Sequence, residues 1–454
     1  METIIIIIFI AGYLAITLEH NLKIDKLIPA LAMMAILWAI IALTHMPVFE
    51  VNTDLKQLEP SHLDEMLLHH LGKTAEILVF LLGAMTIVEI IDYFDGFATI
   101  KGYIRTKKKS KLLWLFSILA FILSAIIDNL TATIVLVTIL QKVVRDREMR
   151  LWFAGMIIIA ANAGGAWSPI GDVTTTMLWI ANKVTALQLI EHVFIPSVVC
   201  MVVPVLFALR YKVFKGNIEG KIEEKEIPKS PYGATMLYLG LGSIVFVPFF
   251  KTITHLPPYV GMMLSLAVVA TFAEIYSNAK FSISSVDTDS DDASHHSAVH
   301  SSLSKIELPS ILFFLGILLA VAALESLGML FEFAGTLDEI MPLLGTESAG
   351  ETVSDLVIII LGVGSAVIDN VPLVAASMGM FSIPIDDPVW HFIAFSAGTG
   401  GSMLIIGSAA GVVAMGMEKI DFFWYFKKIA WLAMLGFLAG SACFVLIRNF
   451  VLNA

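Results

Sequence analysis

The chain has 454 residues, of which 58% are hydrophobic and 15% charged, with a formal net charge of -11 and a mean hydropathy of +0.86. Its apolar residues fall in long runs rather than amphipathic stripes, which is the composition of an all-α polytopic membrane protein. A nucleic-acid partner is excluded by the lack of a basic stripe. Two cysteines, Cys200 and Cys443, both in apolar runs, give no disulfide framework and no metal-ligand spacing; buried structural thiols are the plain reading.

An apolar run opens the chain at 4–18. It resembles a secretory signal, but Glu2 stands where a basic region belongs and no small-residue cleavage site follows, so a first span is expected. A second run covers 27–43, and residues 1–73 are expected as N-terminal scaffold spans. Within them, 51–72 is polar and partly amphipathic, an external loop or surface helix. The first repeat is expected over 74–232, connecting spans over 233–276, and a disordered cytoplasmic linker rich in Ser, Asp and His over 277–307. The second repeat follows over 308–454, ending in a span at 422–450. About ten to twelve segments are long enough to cross or enter the membrane.

Lysine and arginine gather at 101–111, 142–150, 210–229 and 419–428, and the positive-inside rule makes these loops cytoplasmic. The first two flank a hairpin at 112–141 that holds Asp128 and Asn129. A single crossing would put one basic loop outside, so two short arms entering and leaving from the cytoplasm, a re-entrant hairpin, are expected. A second hairpin at 354–387 carries Asp369, Asn370 and Pro372. No Lys or Arg lies between Lys305 and Lys419, so this hairpin is expected to enter from outside, with both termini of the chain outside.

The two halves repeat. Ser124-Ala-Ile-Ile-Asp128-Asn129 returns as Ser365-Ala-Val-Ile-Asp369-Asn370, and the block from Ala163 to Asp172 aligns without gaps to the block from Thr399 to Ser408. Phe80 to Gly83 matches Phe313 to Gly316, which sets Asp92 opposite Glu325. Blocks that recur in order with opposite flanking charge describe an inverted-topology repeat. Each half then has one re-entrant hairpin and one broken transmembrane helix, the latter at 151–185 and 390–417.

Gly164, Gly165 and the run Pro169 to Gly171 must unwind the first broken helix in mid-membrane, where unwound backbone is tolerated only beside a cavity or inside protein. Oxygens surround the break: Asn162, Ser168, Asp172, Thr174, Thr175 and Thr176, with Thr131 near the first tip. Thr399, Ser402 and Ser408 occupy the comparable place in the second half, with Ser365 before its tip. An oxygen-rich set with three carboxylates, Asp128, Asp172 and Asp369, and no Lys or Arg suits a small cation. A carboxylate withdrawn from water can exchange that cation for a proton, which gives antiport at one site and calls for no cofactor. The Asp-Asn pairs could instead cap half-helices. Glu89, Asp92 and Glu325 sit toward span ends, where snorkelling or helix-helix bonding competes with a proton-relay role. His192 and His391 could sense pH, but interfacial packing is preferred, and His295, His296 and His300 have no scaffold for a metal.

The blocks Ile127 to Thr133, Asn162 to Thr176 and Ile368 to Val374 resemble the NhaD-type sodium/proton antiporters, members of the ion transporter superfamily that also holds arsenite permeases, citrate carriers and sodium-dicarboxylate symporters. The resemblance covers about 78–428. It implies efflux of Na+, and of Li+, in exchange for H+ across an inner membrane, by a homodimer with a dimerising scaffold and an elevator-like transport domain. It also implies that Asp128, Asn129, Asn162, Asp172, Thr174, Thr175, Asp369 and Asn370 matter, with Na+ held by Asp128, Asn129, Asp172, Asp369 and Asn370.

Three alternatives stay open. A Na+-coupled carrier of an oxyanion or a di- or tricarboxylate shares the plan, but such an anion would be repelled by Asp128 and Asp369. An intramembrane aspartyl protease is suggested by Gly171-Asp172, yet position 169 is Pro. A channel fits a closed central site less well than alternating access does.

Overall fold

The computed structural model describes all residues except 18–21, 53–56, 102–105, 219–231, 285–296, 307, 331, 333–344, 349–350, 368–369, 382 and 450–454. It is almost wholly helical: α1 Glu2–Thr17, α2 Leu27–Leu43, α3 Leu63–Tyr93, α4 Lys109–Ile127, α5 Asn129–Val143, α6 Arg147–Ala166, α7 Val173–Ile180, α8 Ala186–Ala208, α9 Gly233–Thr254 and α10 Pro258–Ser284. There follow α11 Ala298–Leu303, α12 Leu308–Ser326, α13 Asp355–Gly364, α14 Asn370–Met380, α15 Pro388–Gly400, α16 Ala409–Glu418, α17 Phe422–Lys428 and α18 Ala430–Ile447. Eight helices among the described residues are long and apolar enough to cross a membrane. Helices satisfy every backbone group internally, which is why hydrocarbon admits them.

Where a helix is interrupted, a short polar side chain restarts it. Asp128, Asp146, Asp172, Ser354, Asp387, Ser408 and Asp421 each accept a bond from a backbone N–H in the first turn of the helix that follows. These caps satisfy amides that the membrane cannot.

Two compact units are resolved. The first comprises 1–78, 116–214 and 309–454. In it α8 packs along α18 through small residues: a side chain on Gly436 would meet the Cys200 carbonyl and Pro204, and one on Gly440 would meet the Pro196 carbonyl and Phe395. Close helix approach of this kind supplies packing where lipid removes the hydrophobic drive. The α2 and α12 helices are joined by Trp38 Nε1, which donates to the Leu319 carbonyl at 2.8 Å. The second unit comprises 79–115 and 215–308. Its α9 and α10 pack together, Tyr232 stacks on Tyr276 with ring centroids 4.2 Å apart, and Gly83 sits against Met262 and Met263.

Several expectations are corrected. The 51–72 stretch is not simply a loop or surface helix: Val48–Asn52 pairs antiparallel with Gln57–Ser61, and α3 begins at Leu63. The linker expected to be disordered over 277–307 is helical to Ser284 in α10 and again over α11. Ser297 caps α11 and donates to Glu274, which holds the segment to α10; residues 285–296, with His295 and His296, lie outside the described residues. The stretch expected as one span at 422–450 is two helices, divided at Ile429.

Candidate ion site

The Asp172 carboxylate is the centre of the site. It is 2% exposed and caps α7, its Oδ1 accepting the Thr174 N–H and the Thr174 hydroxyl, each at 2.9 Å. Its Oδ2 accepts Asn129 Nδ2 at 2.6 Å and Asn370 Nδ2 at 3.3 Å. Asn129 and Asn370 are the paired asparagines of the duplicated motif, so each half of the chain sends one amide to the same carboxylate. Asn129 Nδ2 also lies 3.0 Å from Asn162 Oδ1, and Asn162 Nδ2 donates to Ser408 Oγ at 2.9 Å. Neutral donors satisfy and orient this buried carboxylate, and the side-chain oxygens of Asn129, Asn162, Asn370 and Ser408 supply the neutral oxygens that hard cations take as ligands.

Glycines at the ends of α6 and α15 and in the breaks that follow build the frame; Gly164 and Gly165, expected to unwind the helix, remain helical. A side chain on Gly165 would meet the Gly171 carbonyl oxygen at 2.5 Å and Asp172 Cβ at 3.1 Å; one on Gly401 would meet the Gly407 oxygen at 2.6 Å and Ser408 Cβ at 3.1 Å. Gly164 lies against the Phe121 backbone and Gly400 against that of Gly362, while Gly171 faces Ser124 and Ala125 and Gly407 faces Ala366. Ser124 Oγ donates to the Ala161 carbonyl at 2.6 Å, and Ser365 Oγ to that of Ala397 at 3.1 Å. Residues aligned in sequence thus make aligned contacts. The caps match as well: Asp172 has φ -150 and ψ 148, and Ser408 φ -147 and ψ 153.

The residues expected at the site separate into two groups. Asn129, Asn162, Asp172, Thr174, Asn370 and Ser408 come together. The others hold backbone: Ser168 Oγ donates to the Ala125 carbonyl at 2.6 Å, Thr175 Oγ1 to that of Asp172 at 3.0 Å, Thr176 Oγ1 to that of Pro169 at 3.0 Å, Thr399 Oγ1 to that of Phe395 at 2.6 Å, and Ser402 Oγ to that of Thr399 at 2.7 Å. Asp128 is half-buried and turned to Thr131, whose N–H and hydroxyl donate to Oδ1 and Oδ2 at 2.8 and 2.9 Å. Its φ of 87 with ψ of 158 is a strained backbone conformation that residues other than glycine rarely adopt. Asp369 lies outside the described residues.

Of the secondary candidates, Glu89 and Asp92 belong to the second unit. Glu325, at the end of α12, has Lys73 and Lys183 as charged neighbours. His192 and His391 stack with ring centroids 4.4 Å apart, and His391 is fully buried. Ser124 was not among the expected site residues, although its counterpart Ser365 was; the repeat itself carried the signal.

An all-α bundle whose two interrupted helices meet at a buried carboxylate belongs to the class of multi-span membrane transporters. The citrate transporter family matches residues 4–391, and the chain belongs to that family, among its NhaD-type antiporters. It is 42% identical over 98% of its length to sodium/proton antiporter 1 of Arabidopsis thaliana, covering 72% of that protein. It is 39% identical to sodium/proton antiporter 2 of the same plant, over 98% of this chain and 100% of the relative. With the Na(+)/H(+) antiporter NhaD of Vibrio cholerae the identity is 32%, over 90% and 84% of the two chains. The chain is accordingly a transporter and not an enzyme.

Proposed function

We propose that the protein exchanges Na+, and also Li+, for H+ at the Asp172 site. The observation that carries this reading is the convergence of Asn129 and Asn370, one from each half, on a carboxylate withdrawn from water. Na+ and H+ compete for Asp172, which Asn129, Asn370, Asn162 and Ser408 hold in position; on the resemblance, Asp128 and Asp369 also take part. The names of the relatives agree with this cargo.

The two hairpins are re-entrant and oppositely inserted, as the distribution of Lys and Arg supports. An elevator-like movement of the site as one body is part of the proposal, on the resemblance to the superfamily. An inner membrane, a homodimer, external termini and efflux of Na+ complete the proposal, on the resemblance to the superfamily.

Everted vesicles or proteoliposomes with an imposed pH gradient test it. Added Na+ or Li+ dissipates the gradient, and Asp172→Asn abolishes the response. A chain that ignores both ions and moves an organic acid would overturn the reading. The second reading, a Na+-coupled citrate or dicarboxylate carrier, draws on the description of the matching family. It is disfavoured by the Asp172 charge between the two amides, since like charges repel strongly out of water. Citrate-dependent uptake by the same vesicles distinguishes the two.

A further inference from the structure

Three helices bring one end to the site, and their other ends meet at a single side chain. The α5 helix runs from Asn129 to Val143, about 21 Å at 1.5 Å per residue. Along α6, Asn162 stands about 18 Å from Arg150, and α16 carries Ser408 about 15 Å from Glu418. The α6 and α16 helices are therefore antiparallel and bonded at both ends. At the site the bond is Asn162 to Ser408, 2.9 Å. At the far end Arg150 Nε donates to both Glu418 carboxylate oxygens, at 3.1 and 3.0 Å. Arg150 Nη1 reaches the Val144 and Arg145 carbonyls at 3.3 and 3.0 Å, just past the end of α5. The Glu418 side chain is 1% exposed, so Arg150 takes the place of water for it. Gln141 Nε2 adds a bond from α5 to the Met417 carbonyl at 3.3 Å.

We propose that Arg150 is a positioning residue for the ion site: its guanidinium sets the axial register of α5, α6 and α16, and with it the spacing of Asn129, Asn162 and Ser408 around Asp172. A planar fork holds a carboxylate and two carbonyls from separate nitrogens in fixed directions, whereas a lysine offers its donors from one point without that geometry. Removing it leaves a buried carboxylate uncompensated, and the helix that carries Glu418 shifts to expose it. Because helices are stiff along their axes, that shift arrives at Ser408.

The inference rests on reading the Asp172 group as the Na+ site. In proteoliposomes, Arg150→Gln raises the KM for Na+ about tenfold and changes the maximal rate less, with Arg150→Lys in between. Adding Arg150→Gln to Ser408→Ala raises KM no further, because both act on one register. Trp38→Ala, a destabilising change on α2, lowers the melting temperature and leaves KM unaltered. A KM for Arg150→Gln within about twofold of wild type, or a KM shift shared by Trp38→Ala, overturns the proposal.

A second readout needs no sodium. Spin labels at Ile134→Cys and Gly416→Cys, both exposed positions, with Cys200 and Cys443 replaced by Ser, report the separation of α5 and α16. Arg150→Gln broadens or displaces that distance distribution, and an unchanged distribution overturns the register role. A wild type silent to Na+ would sink the sodium reading alone.

Discussion

Asn162 and Ser408, 246 residues apart in the chain, are joined by a 2.9 Å hydrogen bond between the two interrupted helices. Ser408→Ala removes the acceptor for Asn162 and the cap of α16. The apparent KM for Na+ should rise about threefold to tenfold, as for one lost buried bond. Stability should fall by about 1 kcal/mol. Titrating Na+ against dissipation of a pH gradient, with a melting curve alongside, measures both; an unchanged KM would show that this bond does not shape the site.

Asn129 lies nearer to Asp172 than Asn370 does, 2.6 Å against 3.3 Å. Bonds to a charged acceptor are worth about 1.5–3 kcal/mol, so Asn129→Ala should weaken Na+ affinity about tenfold or more, and Asn370→Ala less. The double variant should lose less than the product, since both amides serve one carboxylate. Equal effects, or the reverse order, would contradict the geometry.

If one proton and one Na+ compete for Asp172, lowering the pH must raise the apparent KM for Na+, approaching about tenfold per pH unit where the proton form dominates. At saturating Na+ the effect should vanish. Initial rates over a grid of pH and Na+ concentration decide it, and a KM independent of pH would separate the proton from this carboxylate.

Gly164 and Gly400 face backbone rather than flexible side chains. Gly164→Ala and Gly400→Ala should cost at least about 1–3 kcal/mol each through overpacking and reduce the yield of folded protein. A methyl group on Gly242 would meet nothing within 4 Å, so Gly242→Ala on α9 should be neutral or slightly stabilising, as helix propensity favours Ala. Thermal melting in detergent compares the three.

Arg448 grips Asp355 through two bonds, Nη1 to Oδ1 at 2.7 Å and Nη2 to Oδ2 at 2.6 Å, with exposures of 3% and 9%. Arg448→Ala removes both of these bonds from a buried carboxylate at the start of α13 and should cost up to about 3–5 kcal/mol. Arg448→Ala together with Asp355→Ala should cost less than Arg448→Ala alone, a result that chemical or thermal unfolding can check.

The parts of the site that were legible in the sequence are those with a local signature. Asn129 and Asn370 announce themselves within polar pairs in apolar runs, and Pro169 to Gly171 as the break after α6, although Gly164 and Gly165, expected to unwind, lie within α6. The alignment also placed Asp172 against Ser408, the two positions that the structure gives matching backbone. What escaped is contact at long range. Arg150 reads as one more cation in a basic loop, and only folding sets it beside Glu418. Likewise Arg448 and Asp355 lie 93 residues apart, with no pattern between them. Nor could sequence tell that Asp128 turns its oxygens to Thr131 while Asp172 receives the amides, because each is simply an Asp near a break.

The twin caps at Asp172 and Ser408 carry a consequence for electrical bookkeeping. Their backbone angles agree within a few degrees, so the chain path at these two places does not dictate whether the capping oxygen is charged. One full negative charge distinguishes them, and each charge carried across a membrane potential is worth about 2.3 kcal/mol per 100 mV. Asp172→Ser and Ser408→Asp would each change by one the number of carboxylates at this pair of positions on which the membrane potential can act.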